Sequence, residues 1–144
     1  MTVPLPDSTL HVEGLLAASF ACDLIVITEY TDGEGAGAQV TRLSRDALRP
    51  VWTSKSVGFN VAEPLIDSPY VYLAAIGTVA KLDLRSGEYV WRHDGLYDRE
   101  TGAFNIFAQP VRRGDTVFFT SDPAHRGGGR QIVVRDSSGS VVRP

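Results

Sequence analysis

The chain is poor in the residues and spacings that build disulfides, metal sites and catalytic sites. A single cysteine, Cys22, excludes an internal disulfide framework and a multi-cysteine zinc site, and it fits a reducing cytoplasm. The histidines His11, His93 and His125 form no HExxH pattern, and no serine lies in a GxSxG elbow. Cys22 has no basic neighbour in the sequence, so we expect a buried, inert thiol. We therefore predict a protein that is not an enzyme and that uses no metal and no cofactor.

Long apolar runs and a basic leader are also missing. No Lys or Arg precedes Arg42, which argues against a secretory signal peptide. The longest apolar stretch, near residues 15–27, is interrupted by Ser19 and Asp23 and is too short to span a bilayer. With 144 residues, 43% of them hydrophobic and 22% charged, the composition is typical of one globular domain. We expect a single cytoplasmic domain that does not bind membranes.

Positive charge is absent from the first part of the chain. Residues 1–41 contain six acidic side chains and no Lys or Arg, whereas six arginines face three aspartates from residue 112 onward. An acidic surface speeds encounter with a basic protein and repels phosphate groups. The net charge of −3 and the scattered arginines argue against nucleic-acid binding.

Two glycine-rich stretches lack the order of a ligand-binding loop. TDGEGAGA (31–38) and PAHRGGG (123–129) do not end in GKS or GKT, and neither opens a predicted helix. The acidic residues Glu29, Asp32 and Glu34 lack the alternating order of a calcium loop. We expect both stretches to be long loops, and 31–38 to be mobile and unpacked.

Self-similarity is the most informative property of the sequence. LIVIT (24–28), YVYLA (70–74) and TVFFT (116–120) begin 46 residues apart. Pro64 and Pro110 each precede the following apolar run by six residues. Spacing of this kind predicts a repeated supersecondary unit.

Each repeat divides into four short apolar runs separated by Gly, Pro, Asp or Ser. The runs are rich in β-branched and aromatic residues, which favour strands, and helical periodicity is almost absent. Ser86 and Gly87 predict a tight turn between the last two strands of the second repeat. We therefore predict an all-β domain built from three four-stranded antiparallel units. The repeat units span about residues 10–55, 56–102 and 103–144.

A repeat of about 46 residues with four antiparallel strands is typical of a β-propeller blade. The second repeat resembles the blades of pyrroloquinoline-quinone-type propellers at twelve positions: Pro64, Tyr70, Val71, Tyr72, Leu82, Asp83, Ser86, Gly87, Glu88, Val90, Trp91 and Arg92. The first repeat keeps Val51 and Trp52 but has no glycine turn, and the third keeps the glycine turn but no tryptophan. The resemblance implies propeller-like blades. Many propellers of this repeat type look like non-catalytic scaffolds that bind proteins.

Three blades are too few for the usual closed ring. Closed propellers have four to eight blades, and each blade buries its apolar faces against its neighbours. An open arc of three blades therefore leaves two faces to be covered. The sequence leaves three solutions open: a compact three-blade variant, a homodimer that pairs two arcs into a six-blade ring, or a partner protein.

Candidate binding residues concentrate in the stretch that joins the second and third repeats. HDGLYDRETGAF (93–104) is longer and more acidic than a connector requires. Tyr and Arg often anchor protein interfaces, and neighbouring acids suit a basic partner. The candidate partner-binding residues are Glu29, Asp32, Glu34, Asp94, Tyr97, Asp98, Arg99 and Glu100.

The function expected from these features is protein binding. A small acidic chain with uncovered repeat faces resembles bacterial immunity proteins in general character, although no motif supports that likeness. We expect a non-enzymatic inhibitor that occludes a basic toxin, for example a nuclease. The alternatives are a self-assembling propeller scaffold or adaptor and a small-ligand module similar to quinoproteins.

Overall fold

Three small β-sheets make up the fold. The computed structural model describes residues 11–32, 35–122, 124 and 129–143. The described residues contain no helix, and their twelve β-strands form three four-stranded antiparallel sheets. Strands that are consecutive in the sequence are neighbours in each sheet. The sheets, named blades 1 to 3 in chain order, do not close into a ring, so the fold is all-β with an incomplete, propeller-like arrangement, as predicted.

Blade 1 has the longest strands. The turn between its first two strands, β1 (His11–Phe20) and β2 (Asp23–Asp32), consists of Ala21 and Cys22, which adopt φ angles of 47° and 68°. This two-residue turn places Cys22 at an exposed tip, so the expected burial of its thiol is wrong. The strands are β1 (His11–Phe20), β2 (Asp23–Asp32), β3 (Gly35–Leu43) and β4 (Pro50–Thr53).

The glycine-rich stretch 31–38 is mostly strand, which corrects the expectation of an unpacked loop. Strands β2 and β3 remain paired as far as Asp32 and Gly35. Gly37 is buried, and a Cβ at this position would lie 2.5 Å from the Ser56 hydroxyl oxygen. The glycine permits a close approach of β3 to its neighbours instead of providing flexibility.

Blades 2 and 3 have shorter strands, and their first strands are the shortest. The sequence predicts first strands over 61–66 and 106–112, but only three residues pair in each case. The preceding segments make isolated contacts instead, such as the hydrogen bond from Ala62 N to Ala74 O. The strands are β5 (Leu65–Asp67), β6 (Tyr70–Ala75), β7 (Thr78–Asp83) and β8 (Tyr89–His93) in blade 2, and β9 (Val111–Arg113), β10 (Thr116–Thr120), β11 (Gln131–Arg135) and β12 (Val141–Arg143) in blade 3.

The apolar core lies between the blades. Alternate residues of each strand point to opposite faces, so the central blade contributes one set of side chains to each neighbour. Between blades 1 and 2 the buried residues are Ile25, Ile27, Val40, Val71, Leu73, Leu82 and Leu84. Between blades 2 and 3 they are Tyr72, Ala74, Val79, Trp91, Phe107, Val117, Phe119, Ile132 and Val134.

A repeated polar contact, here called the inter-blade joint, accompanies each apolar interface. In the first joint the Trp52 indole N–H and the Arg42 guanidinium both donate to the carbonyl oxygen of Leu84, at 3.2 and 3.3 Å. The Trp52 ring lies against Gly87, where a Cβ would be 2.6 Å from the ring. Blade 1 thus contacts the turn between the last two strands of blade 2.

The second joint repeats these contacts with different residues. The Trp91 indole N–H donates to the carbonyl oxygen of Asp136 at 2.9 Å, and the Lys81 ammonium lies 3.4 Å from the same oxygen. Gly139 lies against Trp91 as Gly87 lies against Trp52. The joint therefore consists of one basic side chain, one tryptophan, one carbonyl oxygen and one glycine.

Candidate protein-binding site

The connector between blades 2 and 3 folds into a short hairpin, here called the 94–105 hairpin. Tyr97 and Phe104 pair as an antiparallel bridge, and Asn105 N donates to Leu96 O at 3.0 Å. Backbone bonds from Leu96 N to Gly77 O and from Gly77 N to Asn105 O fasten the hairpin to the β6–β7 turn. The stretch that the sequence marks as overlong is therefore an ordered element.

Asp98 organises this hairpin from inside. Its side chain is buried and accepts hydrogen bonds from the backbone N–H groups of Glu100 and Thr101 at 2.8 and 2.9 Å. The guanidinium of Arg130, the residue before β11, lies 3.1 Å from the same carboxylate. The Thr101 N–H is the main cause that lowers the pKa of Asp98, with help from Glu100 N–H and Arg130. Asp98 is therefore ionised and held internally.

Exposed aromatic side chains border the β6–β7 turn. Tyr97 and Phe104 are 53% and 57% exposed, and as directly opposed residues of an antiparallel pair they lie side by side. The Phe104 ring covers Gly77, where a Cβ would lie 2.7 Å from it. Phe59 is 40% exposed, and its carbonyl accepts a hydrogen bond from Ile76 N. These three residues, here called the aromatic patch, place three exposed aromatic side chains around one turn.

The sequence contains an unused signal for this patch. Phe59–Asn60 and Phe104–Asn105 occupy matching positions in the repeats FNVAEPLID and FNIFAQPVRR. The match indicates a repeated structural role, but it does not show that both phenylalanines remain exposed. Only the packing around the β6–β7 turn reveals that exposure.

The other predicted hairpin residues have different surroundings. Asp94 accepts hydrogen bonds from the Thr78 hydroxyl and the Arg92 guanidinium, both at 2.9 Å. Burial raises the pKa of Asp94, but the bonds from Arg92 and Thr78 outweigh it and the net pKa is lowered. Arg99 and Glu100 are exposed, and Glu100 lies 3.7 Å from the Arg130 guanidinium. The structure thus brings five predicted residues onto one hairpin.

The predicted residues of blade 1 are not part of the hairpin. The Glu29 carboxylate accepts a hydrogen bond from Val61 N, which links β2 to the segment that enters blade 2. Asp32 ends β2, but its side chain lies outside the described residues, as does the whole of Glu34. A binding role for these three residues stays a prediction.

A buried charged cluster between blades 2 and 3 has no counterpart in the sequence predictions. The Asp136 carboxylate accepts hydrogen bonds from Lys81 at 2.7 Å, Tyr72 at 2.9 Å and Arg112 at 3.0 Å. Burial raises the pKa of Asp136, but Lys81, Tyr72 and Arg112 together lower it below its ordinary value. Every charge in the cluster has a partner, so we assign it to blade packing.

The fold and the hairpin together define a class, an all-β protein of propeller-like blades with an aromatic surface at one connector. Comparison of the chain with protein-family models and with curated proteins finds no match. None of the described residues forms a helix that is long and apolar enough to cross a membrane. Among the same residues no group of three or more His, Cys, Asp or Glu side chains is arranged to hold a metal ion.

Proposed function

We propose that this chain is a non-enzymatic protein-binding module, and more specifically an immunity-type inhibitor that occludes a cognate toxin in the cytoplasm. The observation that carries the proposal is the exposed pair Tyr97 and Phe104 on a hairpin that internal hydrogen bonds hold in place. Large aromatic side chains on a rigid support lose little conformational freedom on binding, and they are common interface hot spots.

The excess of acidic residues in the first 41 positions favours a basic partner, for example a nuclease toxin. On the hairpin, however, Arg130 and Arg92 pair with Asp98 and Asp94, and the exposed Glu100 lies 3.7 Å from Arg130. We therefore assign most of the affinity to the aromatic patch. The acidic residues would mainly increase the association rate.

Capture of the tagged protein from its native cell lysate, with mass spectrometry of the co-eluting proteins, tests the proposal when two variants are run in parallel. We expect wild type to retain one basic protein at a one-to-one ratio. The double variant Tyr97→Ser/Phe104→Ser should weaken binding at least about tenfold, because it removes both anchors. The control Val90→Ser removes an apolar side chain of similar exposure on β8 and should bind like wild type. Inhibition of the captured partner's toxicity on co-expression should follow the same order.

Two results would contradict the proposal. Equal retention of the partner by wild type and the double variant would remove the aromatic patch from the interface. Recovery of the bait alone as a homodimer would instead favour the self-assembling scaffold.

The contribution of charge has its own test in the association rate. Glu100→Lys should slow association with the captured partner several-fold at low salt and reduce the salt dependence of the rate. The dissociation rate should change little, because Glu100 is exposed and lies 3.7 Å from its nearest cation. Stopped-flow mixing at two salt concentrations measures both, and an unchanged association rate would exclude a basic surface opposite Glu100.

A further inference from the structure

A cleft beside the 94–105 hairpin has the features of a specific peptide site. Its volume is about 450 Å³, within the usual range for ligand sites. The apolar part of the lining consists of Leu96 from the hairpin and Ile132 and Val141 from blade 3, with Tyr97 at the side. An apolar side chain of four to seven heavy atoms would bury its surface there.

Asn105 gives this cleft an unused polar group. The residue is only 9% exposed and lines the cleft, and within the described part of the chain its side-chain amide makes no hydrogen bond. Every fully buried side-chain N or O atom of the described residues does have a partner, so the Asn105 amide must be reachable from solvent. An amide offers both a donor and an acceptor, which is the pairing that a peptide backbone requires.

Two arginines, Arg99 and Arg130, line the cleft. Arg130 is already paired with Asp98 and Glu100. Arg99 lines the cleft, is exposed and has no partner among the described residues, so its guanidinium is free to bind a carboxylate in two-point geometry. Neither Asp98 nor Glu100 lines the cleft. Its unneutralised charge is therefore positive.

We propose that this cleft binds an extended peptide segment of a partner protein in which an apolar side chain is followed by an acidic one. The apolar side chain lies on Leu96, Ile132 and Val141, the Asn105 amide pairs with the peptide backbone, and Arg99 binds the carboxylate. The proposal rests on the proposed function, because it supplies the part of the partner that enters beside the aromatic patch. A basic partner can carry such a segment locally.

Blocked tetrapeptides test the cleft without any partner protein. The probes are acetyl-Gly-X-Glu-Gly-amide with Leu, Ile or Phe at X, and the same peptides with Gln in place of Glu. Titration into isotope-labelled full-length protein, followed by NMR, should shift the Gly95 amide, the Asn105 side-chain amide and the Arg99 Nε–H. We expect at least one Glu peptide to bind at least about tenfold more tightly than its Gln analogue, since a charge-assisted bond is lost.

Two variants and one control assign the binding to the cleft. Arg99→Gln and Asn105→Ala should each weaken binding of the Glu peptide at least about fivefold, because each removes a group that contacts the peptide. Arg113→Gln changes an exposed arginine of β9 that does not line the cleft, and it should bind like wild type. Absence of shifts with all Glu peptides, equal binding of the Gln peptides, or binding that survives both variants would overturn the proposal.

The outcomes also separate this proposal from the proposed function. Peptide binding that depends on Arg99, together with no captured partner, would keep the cleft and remove the inhibitor. A captured partner whose affinity depends on the aromatic patch and not on Arg99 or Asn105 would keep the inhibitor and remove the cleft.

Discussion

Two glycines of blade 3 adopt the same backbone conformation in different surroundings. Gly114 and Gly139 have φ angles of 58° and 71°, a region that other residues rarely occupy. A Cβ at position 114 would meet nothing within 4 Å, whereas at position 139 it would lie 2.5 Å from Trp91. Alanine substitutions at these two glycines therefore distinguish two losses of stability, one from the positive φ angle alone and one from a clash at the inter-blade joint.

Gly114→Ala should lower the free energy of unfolding by about 1 to 2 kcal/mol, the cost of a left-handed residue with a side chain. Gly139→Ala should lower it by roughly 2 kcal/mol more, because the added methyl group displaces the Trp91 indole. Urea unfolding followed by circular dichroism measures the difference. Equal losses would mean that the joint adds little to stability.

The charged cluster at Asp136 makes stability depend on pH in a defined direction. A carboxylate whose pKa is lower in the folded state binds fewer protons there than in the unfolded chain. The stability that the Asp136 carboxylate contributes is complete at pH values above its ordinary pKa of 3.8. It disappears as the pH falls through the lower pKa of the folded state. Above that range the carboxylate also balances the buried Lys81 ammonium.

Asp136→Asn should cost about 3 kcal/mol at pH 7, because Lys81 loses its counter-charge in a buried site. The stability difference between wild type and this variant should shrink as the pH falls from about 4 to 2, the range below the unfolded pKa. Urea midpoints at pH 7 and pH 3 measure it, with the exposed Asp46→Asn as a control that stays parallel to wild type. A gap of constant size would show that Asp136 does not control acid stability.

At the scale of the element, the 94–105 hairpin depends on Asp98 for its shape. Asp98→Ala removes the acceptor for the Glu100 and Thr101 N–H groups and leaves Arg130 without its closest counter-charge. Hydrogen exchange of these two amides should accelerate about tenfold or more, equivalent to one or two hydrogen bonds.

Glu100→Ala is the matched control for that experiment. Its side chain is exposed and 3.7 Å from Arg130, so the two amides should keep nearly their wild-type exchange rates. Unchanged exchange in Asp98→Ala would mean that backbone bonds alone hold the hairpin.

The repeat pattern predicts the three four-stranded blades, but it misplaces one strand by a residue. The 46-residue spacing aligns Ile25 with Val71, yet these residues face each other across the first interface. The residue of blade 2 that corresponds to Ile25 is Tyr72, which pairs with Lys81 as Ile25 pairs with Arg42. A shift of one residue exchanges the two faces of a strand, and apolar residues on both faces hide the shift.

The candidate site was predictable only where neighbours in sequence are neighbours in space. The hairpin residues 94–100 come together for that reason. The burial of Asp98 depends on Arg130, which is distant in the sequence, and the cleft depends on Ile132 and Val141 of another blade. Such contacts follow from blade packing, which a single sequence does not specify.

At the scale of the whole molecule, the two joints differ in the burial of their tryptophans. Trp91 is almost fully buried and contacts the rings of Tyr72, His93 and Phe119 with centroid distances of 6.0 to 6.3 Å. Trp52 is only half-buried beside Gly87. The interface between blades 2 and 3 should therefore lose more when its tryptophan is removed.

Trp91→Ala should reduce the free energy of unfolding by about 3 to 5 kcal/mol, and Trp52→Ala by about 1 to 3 kcal/mol. Urea unfolding followed by far-ultraviolet circular dichroism gives both values without depending on the fluorescence of the deleted indole. A larger loss for Trp52→Ala would place the stronger joint between blades 1 and 2.

The inter-blade joint is directional, because one blade supplies the tryptophan and the basic side chain and the next blade supplies the carbonyl oxygen and the glycine. Blade 2 takes part on both sides, because its Gly87 contacts Trp52 of blade 1 and its Trp91 donates to Asp136 of blade 3. Blade 1 has Leu48, with a positive φ angle of 50°, at the position that Gly87 occupies in blade 2, so its turn lacks the glycine that a tryptophan ring contacts. In blade 3 the strand pairing places Val133 and Arg143 at the positions that the donors Lys81 and Trp91 occupy in blade 2. Blades 1 and 3 therefore lack the residues that form this contact in the chain, and a variant designed to extend the array would carry Leu48→Gly at one end and Val133→Lys with Arg143→Trp at the other.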